Sequence, residues 1–156
     1  MTRTEPRHPD LEVLADERAL HGLVLRYAAS CDHRDGDAFA KLFAPHAVLE
    51  GPGFRFASPE QIQAVPQQLG RFHKTYHTVL NSVASVDGDS AHGESYSMAH
   101  HLTPRADGRY DDLVMYITYR DRYVRLNGTW QFEQRVVVME FTETRTVENV
   151  GTMPKL

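Results

Sequence analysis

Asp32 and His77 are the residues of this sequence whose types and setting suit the movement of a proton. Asp32 follows Ala28 by one helical turn and lies at the edge of an apolar stripe. Its carboxylate therefore looks toward an interior surface, where it needs a partner. His77 opens a run of alternating residues in which His77, Val79 and Asn81 share one face. An imidazole whose second nitrogen meets a buried carboxylate gains basicity and a fixed tautomer, which is what a general base working near neutral pH requires. The plain alternatives are an aspartate solvated at a helix end and a histidine that only packs.

Other residues could complete such a site. Tyr27 belongs to the apolar stripe of the same helix, so its ring packs while its hydroxyl seeks a polar partner. Arg135 sits among Val137, Met139 and Phe141 on one face of a strand, where a guanidinium needs an anion or a polar ligand; a salt bridge, with Glu133 close by, is the structural alternative. His100 and His101 are adjacent on a strand and must point to opposite faces. Tyr96, Met98 and His100 form one set and Ser97, Ala99 and His101 the other. Small residues mark a close-packed or subunit-facing surface, so His100 is expected inward. His73 and His77 invite a metal reading, but HKTYH has Lys74 where a zinc-protease helix carries glutamate, and residues four apart on a strand are ~13 Å apart. No metal site is expected. Neither a GxSxG elbow nor a phosphate-binding loop is present, and the single cysteine, Cys31, excludes an internal disulfide and is assigned to packing.

Positioning these side chains falls to helices first and strands afterwards. Leu20, Leu23, Val24, Tyr27, Ala28 and Cys31 recur at steps of three and four and predict a helix over 11–31. Asp35-Gly36-Asp37 ends it and caps a second helix, 38–43, stopped by Pro45. A short strand at 47–49 precedes the Gly51-Pro52-Gly53 turn. Ser58-Pro59-Glu60-Gln61 starts a third helix that Pro66 splits. Four long strands follow, at 76–86, 90–103, 113–125 and 129–142, with hairpin signals at Asp87-Gly88-Asp89 and Asn127-Gly128. Neighbours should pair antiparallel. This order indicates an α+β fold in which a curved sheet wraps around the helices and leaves a pocket at its open end. Residues 1–9 read as a flexible arm, 10–142 as the domain and 143–156 as a tail.

Composition narrows the function. The chain has 156 residues, 41% hydrophobic and 24% charged, which suits one folded domain. A net charge of −4 without a basic run argues against nucleic acid as a partner. No apolar run approaches the ~20 residues that span a bilayer, and the polar, acidic opening does not suit a signal peptide, so a cytoplasmic location away from membranes is expected.

The segments RYAASCDHRDGDAFAKLFAPHAVLEG, HKTYHTVLNSVASVDGDSAHGESY, DGRYDD and YRDRYVRLNGTWQFEQR, in this order over residues 15–142, resemble the SnoaL-like branch of the nuclear-transport-factor-2-like (NTF2-like) superfamily. The resemblance implies a cone of helices against a curved sheet that encloses a pocket, assembly into dimers or trimers, and no metal or cofactor. The dehydratase-type members, bile-acid 7α-dehydratase, scytalone dehydratase and hexachlorocyclohexane dehydrochlorinase, are the nearest in motif. Their Asp–His dyad falls on Asp32 and His77, the tyrosine five residues before the aspartate on Tyr27, and the dehydrochlorinase arginine on Arg135. A second pocket histidine falls on His100. By the same registers Met98, Met115, Ile117, Tyr119, Val137 and Met139 line the cavity. The dehydrochlorinase has lysine where Tyr27 stands, which favours dehydration over halide loss.

The expectation is a cofactor-independent lyase, dehydratase-like, that takes a proton from a small hydrophobic cyclic or polyketide- or steroid-like substrate and assembles as a homo-oligomer. An isomerase or cyclase using the same dyad, or a non-catalytic binder of small ligands, are the alternatives.

Overall fold

The protein is described by a computed structural model covering residues 9–148, so most of the expected arm and most of the tail lie outside the described residues. Helix α1 spans Pro9–His33, and Leu20, Leu23, Val24, Tyr27, Ala28 and Cys31 are all buried along one face. It ends in a left-handed turn. Arg34 has φ 58°, its N–H donates to the Cys31 carbonyl at 3.2 Å, and the Asp35 N–H reaches back to the Ser30 carbonyl at 3.0 Å. These bonds satisfy carbonyls that a helix end leaves open.

Asp35 then caps α2, Gly36–Ala40, by accepting from the Ala38 N–H at 2.8 Å. The helix stops three residues short of the Phe43 predicted from sequence, because Phe43 packs its ring on Phe39 and Phe132, at 5.2 and 5.1 Å, and pairs with Phe132 as the first residue of strand β1, Phe43–Gly51. Strand β2, Phe54–Phe56, returns through the Pro52-Gly53 turn. Pro66 does divide the next helical segment, into α3, Pro59–Gln63, and α4, Val65–Gln68, with a single 3₁₀ turn at Leu69–Arg71 behind it.

The rest is a meander of β3, Lys74–Asp87, β4, Ser90–Pro104, β5, Tyr110–Leu126, and β6, Thr129–Val147. Sheet order is β2-β1-β6-β5-β4-β3, antiparallel throughout except that β1 runs parallel to β6. The architecture is α+β with a mixed sheet. At Asn127-Gly128 both residues take positive φ, 51° and 77°, as a two-residue hairpin turn demands. β6 runs past Thr142, where sequence alone ends it, because residues 143–147 continue the ladder with 110–114 of β5.

α1 packs against both β3, at the sheet edge, and β6. Three strand spacings of ~4.8 Å separate those strands, wider than one helix, so the sheet must curl about α1. Irregularities between Val79 and Ser82, at Tyr116/Ile117 and at Arg122/Tyr123 supply local bends. The helix is also fastened near its start, where Asp16 accepts from the Trp130 indole at 2.9 Å and from Arg125 at 2.7 Å.

Candidate active site

The last turn of α1 and the first residues of β3 meet edge-on. His77 Nδ1 stands 2.7 Å from Asp32 Oδ1, and the His77 backbone N–H donates to Asp32 Oδ2 at 2.8 Å. One carboxylate thus holds both the ring and the main chain of the same residue. Thr75, two residues earlier and on the same face, donates its hydroxyl to Asp32 Oδ1 at 2.9 Å, and Arg34 donates to Thr75 Oγ1 at 2.7 Å. The left-handed turn at Arg34 is therefore part of the site, since it folds that guanidinium back under the helix end.

Burial works to raise the Asp32 pKa, but the ring and backbone bonds from His77, the charge of His77 and the Thr75 hydroxyl together outweigh it and hold the carboxyl below its ordinary value. An ionised carboxylate can only accept, so Nδ1 of His77 carries a proton, and in the neutral imidazole it is Nε2 that keeps the lone pair. Among the described residues Nε2 has no hydrogen-bond partner. Only 7% of the His77 side chain is exposed.

His77 opens onto a cavity of about 350 Å³. Its walls are Tyr27 and Cys31 of α1, Leu49 of β1, Phe54 and Phe56 of β2, Val65, Leu69 and Arg71 of the segment before β3, and inward residues of β4, β5 and β6. Met115, Ile117, Tyr119, Val137 and Met139 stand on this wall. Burial, and next the Asp32 charge, push the Cys31 thiol up to about 12, so it stays a neutral packing group. Burial, followed by neighbouring Tyr119, also raises Tyr27 well above its ordinary value, which keeps its hydroxyl a donor.

Three expectations need correction. His100 faces outward, with Nδ1 2.8 Å from Asp112 Oδ2, and Met98 lies on that outer face opposite Tyr116. The inward histidine is His101. Its ring is edge-on to His77 at 5.7 Å, and Nδ1 lies 3.3 Å from the Leu113 carbonyl, which can only accept, so Nε2 is again bare. Burial and then the charge of His77 lower His101 to about 4, so this imidazole stays neutral. Small Ser95, Ser97 and Ala99 are buried on the concave side, where the sheet closes on α1.

Arg135, the third, is fully buried and does not line the cavity. It donates to both oxygens of Asp121, at 2.8 and 2.9 Å, and its guanidinium carbon sits 4.1 Å from the Tyr27 and Tyr119 ring centroids and 4.3 Å from that of Phe132. Its partner is not Glu133, which faces His46 and Arg122. Arg135 is a buried cation beneath two rings of the cavity floor.

Among the described residues no group of three or more His, Cys, Asp or Glu is placed to hold a metal, and His73 stacks on Tyr110 at 4.8 Å instead. A wider depression of about 610 Å³ lies on the outer sheet face, lined by Val83, His92, Glu94, Arg120, Arg122 and Gln134. Its exposed charges pair with neighbouring charges, Arg120 with Glu94 and Arg122 with Glu133, and it is more open to solvent than the inner cavity. No helix among the described residues is long and apolar enough to cross a membrane.

The site is thus an aspartate–histidine pair at the wall of a small, largely apolar cavity inside a curled α+β sheet. A family model described as "SnoaL-like domain" matches residues 12–136, and the chain belongs to that family. It is 27% identical over 126 residues to "Uncharacterized protein Rv2910c" of Mycobacterium tuberculosis, covering 79% of this chain and 84% of that protein. Among solved structures it is similar to hexachlorocyclohexane dehydrochlorinase LinA-type3 from Novosphingobium barchaimii, with a TM-score of 0.74, 20% identity, and coverage of 94% and 99% of the two chains. A candidate scytalone dehydratase from Novosphingobium aromaticivorans superposes with a TM-score of 0.74 at 21% identity, covering 94% of this chain and all (100%) of the other. At these identities the likeness establishes the fold.

Proposed function

We propose that the protein is a lyase of the dehydratase type, acting without a cofactor on a small, largely apolar cyclic substrate. The observation that carries this reading is the bond of 2.7 Å between His77 Nδ1 and Asp32 Oδ1, which leaves a bare Nε2 at the cavity wall. His77 Nε2 removes a proton next to a substrate carbonyl, and Asp32 stabilises the imidazolium that forms. The electron pair of the broken C–H bond becomes the new C=C bond as the C–O bond to the leaving hydroxyl breaks. Protonated His77 returns its proton to that oxygen, so water departs and the base is restored. Tyr27 donates its hydroxyl to the carbonyl or the leaving group, and neutral His101 accepts from a substrate hydroxyl. Arg135 acts through the rings of Tyr27 and Tyr119, its positive charge beneath them favouring the negative charge that develops above.

The similarity to a dehydrochlorinase and a candidate dehydratase supports the same reaction class. The test is a screen of cyclic β-hydroxy ketones followed by mass spectrometry, in which the product is lighter by one water. His77→Ala and Asp32→Asn should each lower turnover by about 10²–10⁴-fold. Product of unchanged mass would assign an isomerase or cyclase, and undiminished turnover in both variants would remove the dyad from the reaction.

We also propose that the chain forms a homo-oligomer through its outer sheet face. Tyr76, Leu80, Val83, Tyr96 and Phe141 are exposed there by 42–66%, large apolar side chains that a second copy of the chain would cover.

A further inference from the structure

Resting on the reading of the cavity as a substrate site, we propose that the substrate is a monoanion: an apolar ring body bearing a carboxylate at the end remote from the reacting carbon, held by Arg71 at the cavity mouth. Arg71 is the one charged side chain among the residues that line the cavity, and no carboxylate lines it. Its guanidinium carbon lies 4.8 Å from the Phe72 ring centroid, a cation–π contact that uses none of its N–H donors in a hydrogen bond. The edge, with its five N–H donors, makes no hydrogen bond or ion pair to any described residue. Arg71 is exposed at the mouth, so the donors of its fork face solvent and, beside Gln68 on the same wall, are open to a ligand's acceptor.

The position of the fork sets the geometry of the ligand. Phe72 packs on His101 at 4.7 Å, and His101 on His77 at 5.7 Å, so contacts run in sequence from Arg71 through Phe72 and His101 to His77. Two rings therefore separate the guanidinium from the imidazole that takes the proton. A carboxylate at the mouth cannot be the group that acidifies the reacting C–H. That task is left to a separate carbonyl deeper in the cavity, which suits the chemistry because a proton beside a carboxylate is much harder to remove than one beside a ketone. One guanidinium without a second cation on the wall suits a single negative charge; a phosphate dianion would leave charge unmatched.

Binding by calorimetry tests this without turnover, with matched probes: naphthoate against naphthamide and cyclohexanecarboxylate against its carboxamide, at about pH 8, above the ordinary histidine range. The intact protein should bind each carboxylate roughly fivefold more tightly than its amide, the upper end for a partly solvated ion pair. Arg71→Gln should erase the preference by weakening the carboxylates more than the amides, without lowering the melting temperature, and Arg71→Lys should keep only part of it, having lost the fork. Equal affinities in the intact protein, a preference that survives Arg71→Gln, a preference that disappears instead in His77→Ala, or failure of all four probes to bind would each overturn the proposal. Asp32→Asn separates the two readings. If that variant turns over normally while the carboxylate preference persists, the dyad mechanism fails and the anion site stands.

Discussion

Mild acid should loosen this fold through His101. In the unfolded chain its imidazole protonates near 6.5, whereas in the folded protein burial and the nearby charges of His77 and Arg71 delay protonation to about 4. A base with a depressed folded value stabilises in full above about 6.5. Below that the unfolded chain takes up a proton the folded one refuses, so stability falls continuously to about 4 and then ceases to change on this account. At ~1.4 kcal/mol per pH unit the gap amounts to about 3 kcal/mol, or a fall of roughly 6–12 °C in melting temperature for a domain of this size. Asp32 does not confuse the window: its lowered value means that its contribution is complete above the usual carboxylate range and is lost only beneath it. The assay is a pair of thermal melts followed by circular dichroism at a series of pH values, on the natural chain and on His101→Gln, which keeps an amide donor for the Leu113 carbonyl and cannot titrate. The variant's fixed packing penalty cancels in the pH dependence. The natural chain should lose about 3 kcal/mol more than the variant between neutrality and about pH 4. Parallel curves would mean that His101 is hydrated or charged in the folded state, and the neutral-acceptor role assigned to it would fail.

Removing one member of the Asp121–Arg135 pair should cost about 3–5 kcal/mol in chemical denaturation, because the survivor is a buried uncompensated charge, and Arg135→Met with Asp121→Leu together should cost less than the sum of the single changes. Single variants within ~1 kcal/mol of the natural chain would show that water reaches the pair. For the outer sheet face, light scattering should give a mass of two or more chains, and Tyr76→Glu with Phe141→Glu should reduce it to one; a monomer before substitution would refute the assignment.

Most of the architecture could be read from residue order alone. The expectation of an inward His100 rests on Ser97 and Ala99 reading as a subunit-facing set, and local pattern carries no cross-strand register that could correct it. Hairpin turns announce a register, and a bulge further along the strands silently changes it. Extending the pairing from Asp87↔Ser90 without interruption would set His77 opposite His100, whereas the irregularity between Val79 and Ser82 sets it opposite Ala99 and turns His101 inward. Extending Leu126↔Thr129 in the same way would face Asp121 with Gln134; the shift at Arg122/Tyr123 faces it with Arg135 instead. A further shift at Tyr116/Ile117 sends Phe141 to the outer face while Val137 and Met139 remain inside. Asp121 itself was legible in principle, as a carboxylate alternating with Tyr119 and Tyr123 on an otherwise aromatic face. Thr75 and Arg34 were not, since nothing in a local pattern distinguishes a threonine that grips a carboxylate from one that fills a strand.

The double grip of Asp32 on His77 divides the molecule into parts that can change at different rates. The Asp32–His77 pair is built from the end of α1 and the start of β3, while Phe54, Phe56, Val65, Leu69 and Arg71, which line the same cavity, come from a separate stretch between β1 and β3 that holds neither member of the pair. Substitutions in that stretch can resize the chamber, or move its charge, without rotating the imidazole. Descendants of such a chain can exchange one molecule for another while leaving the Asp32–His77 contact in place.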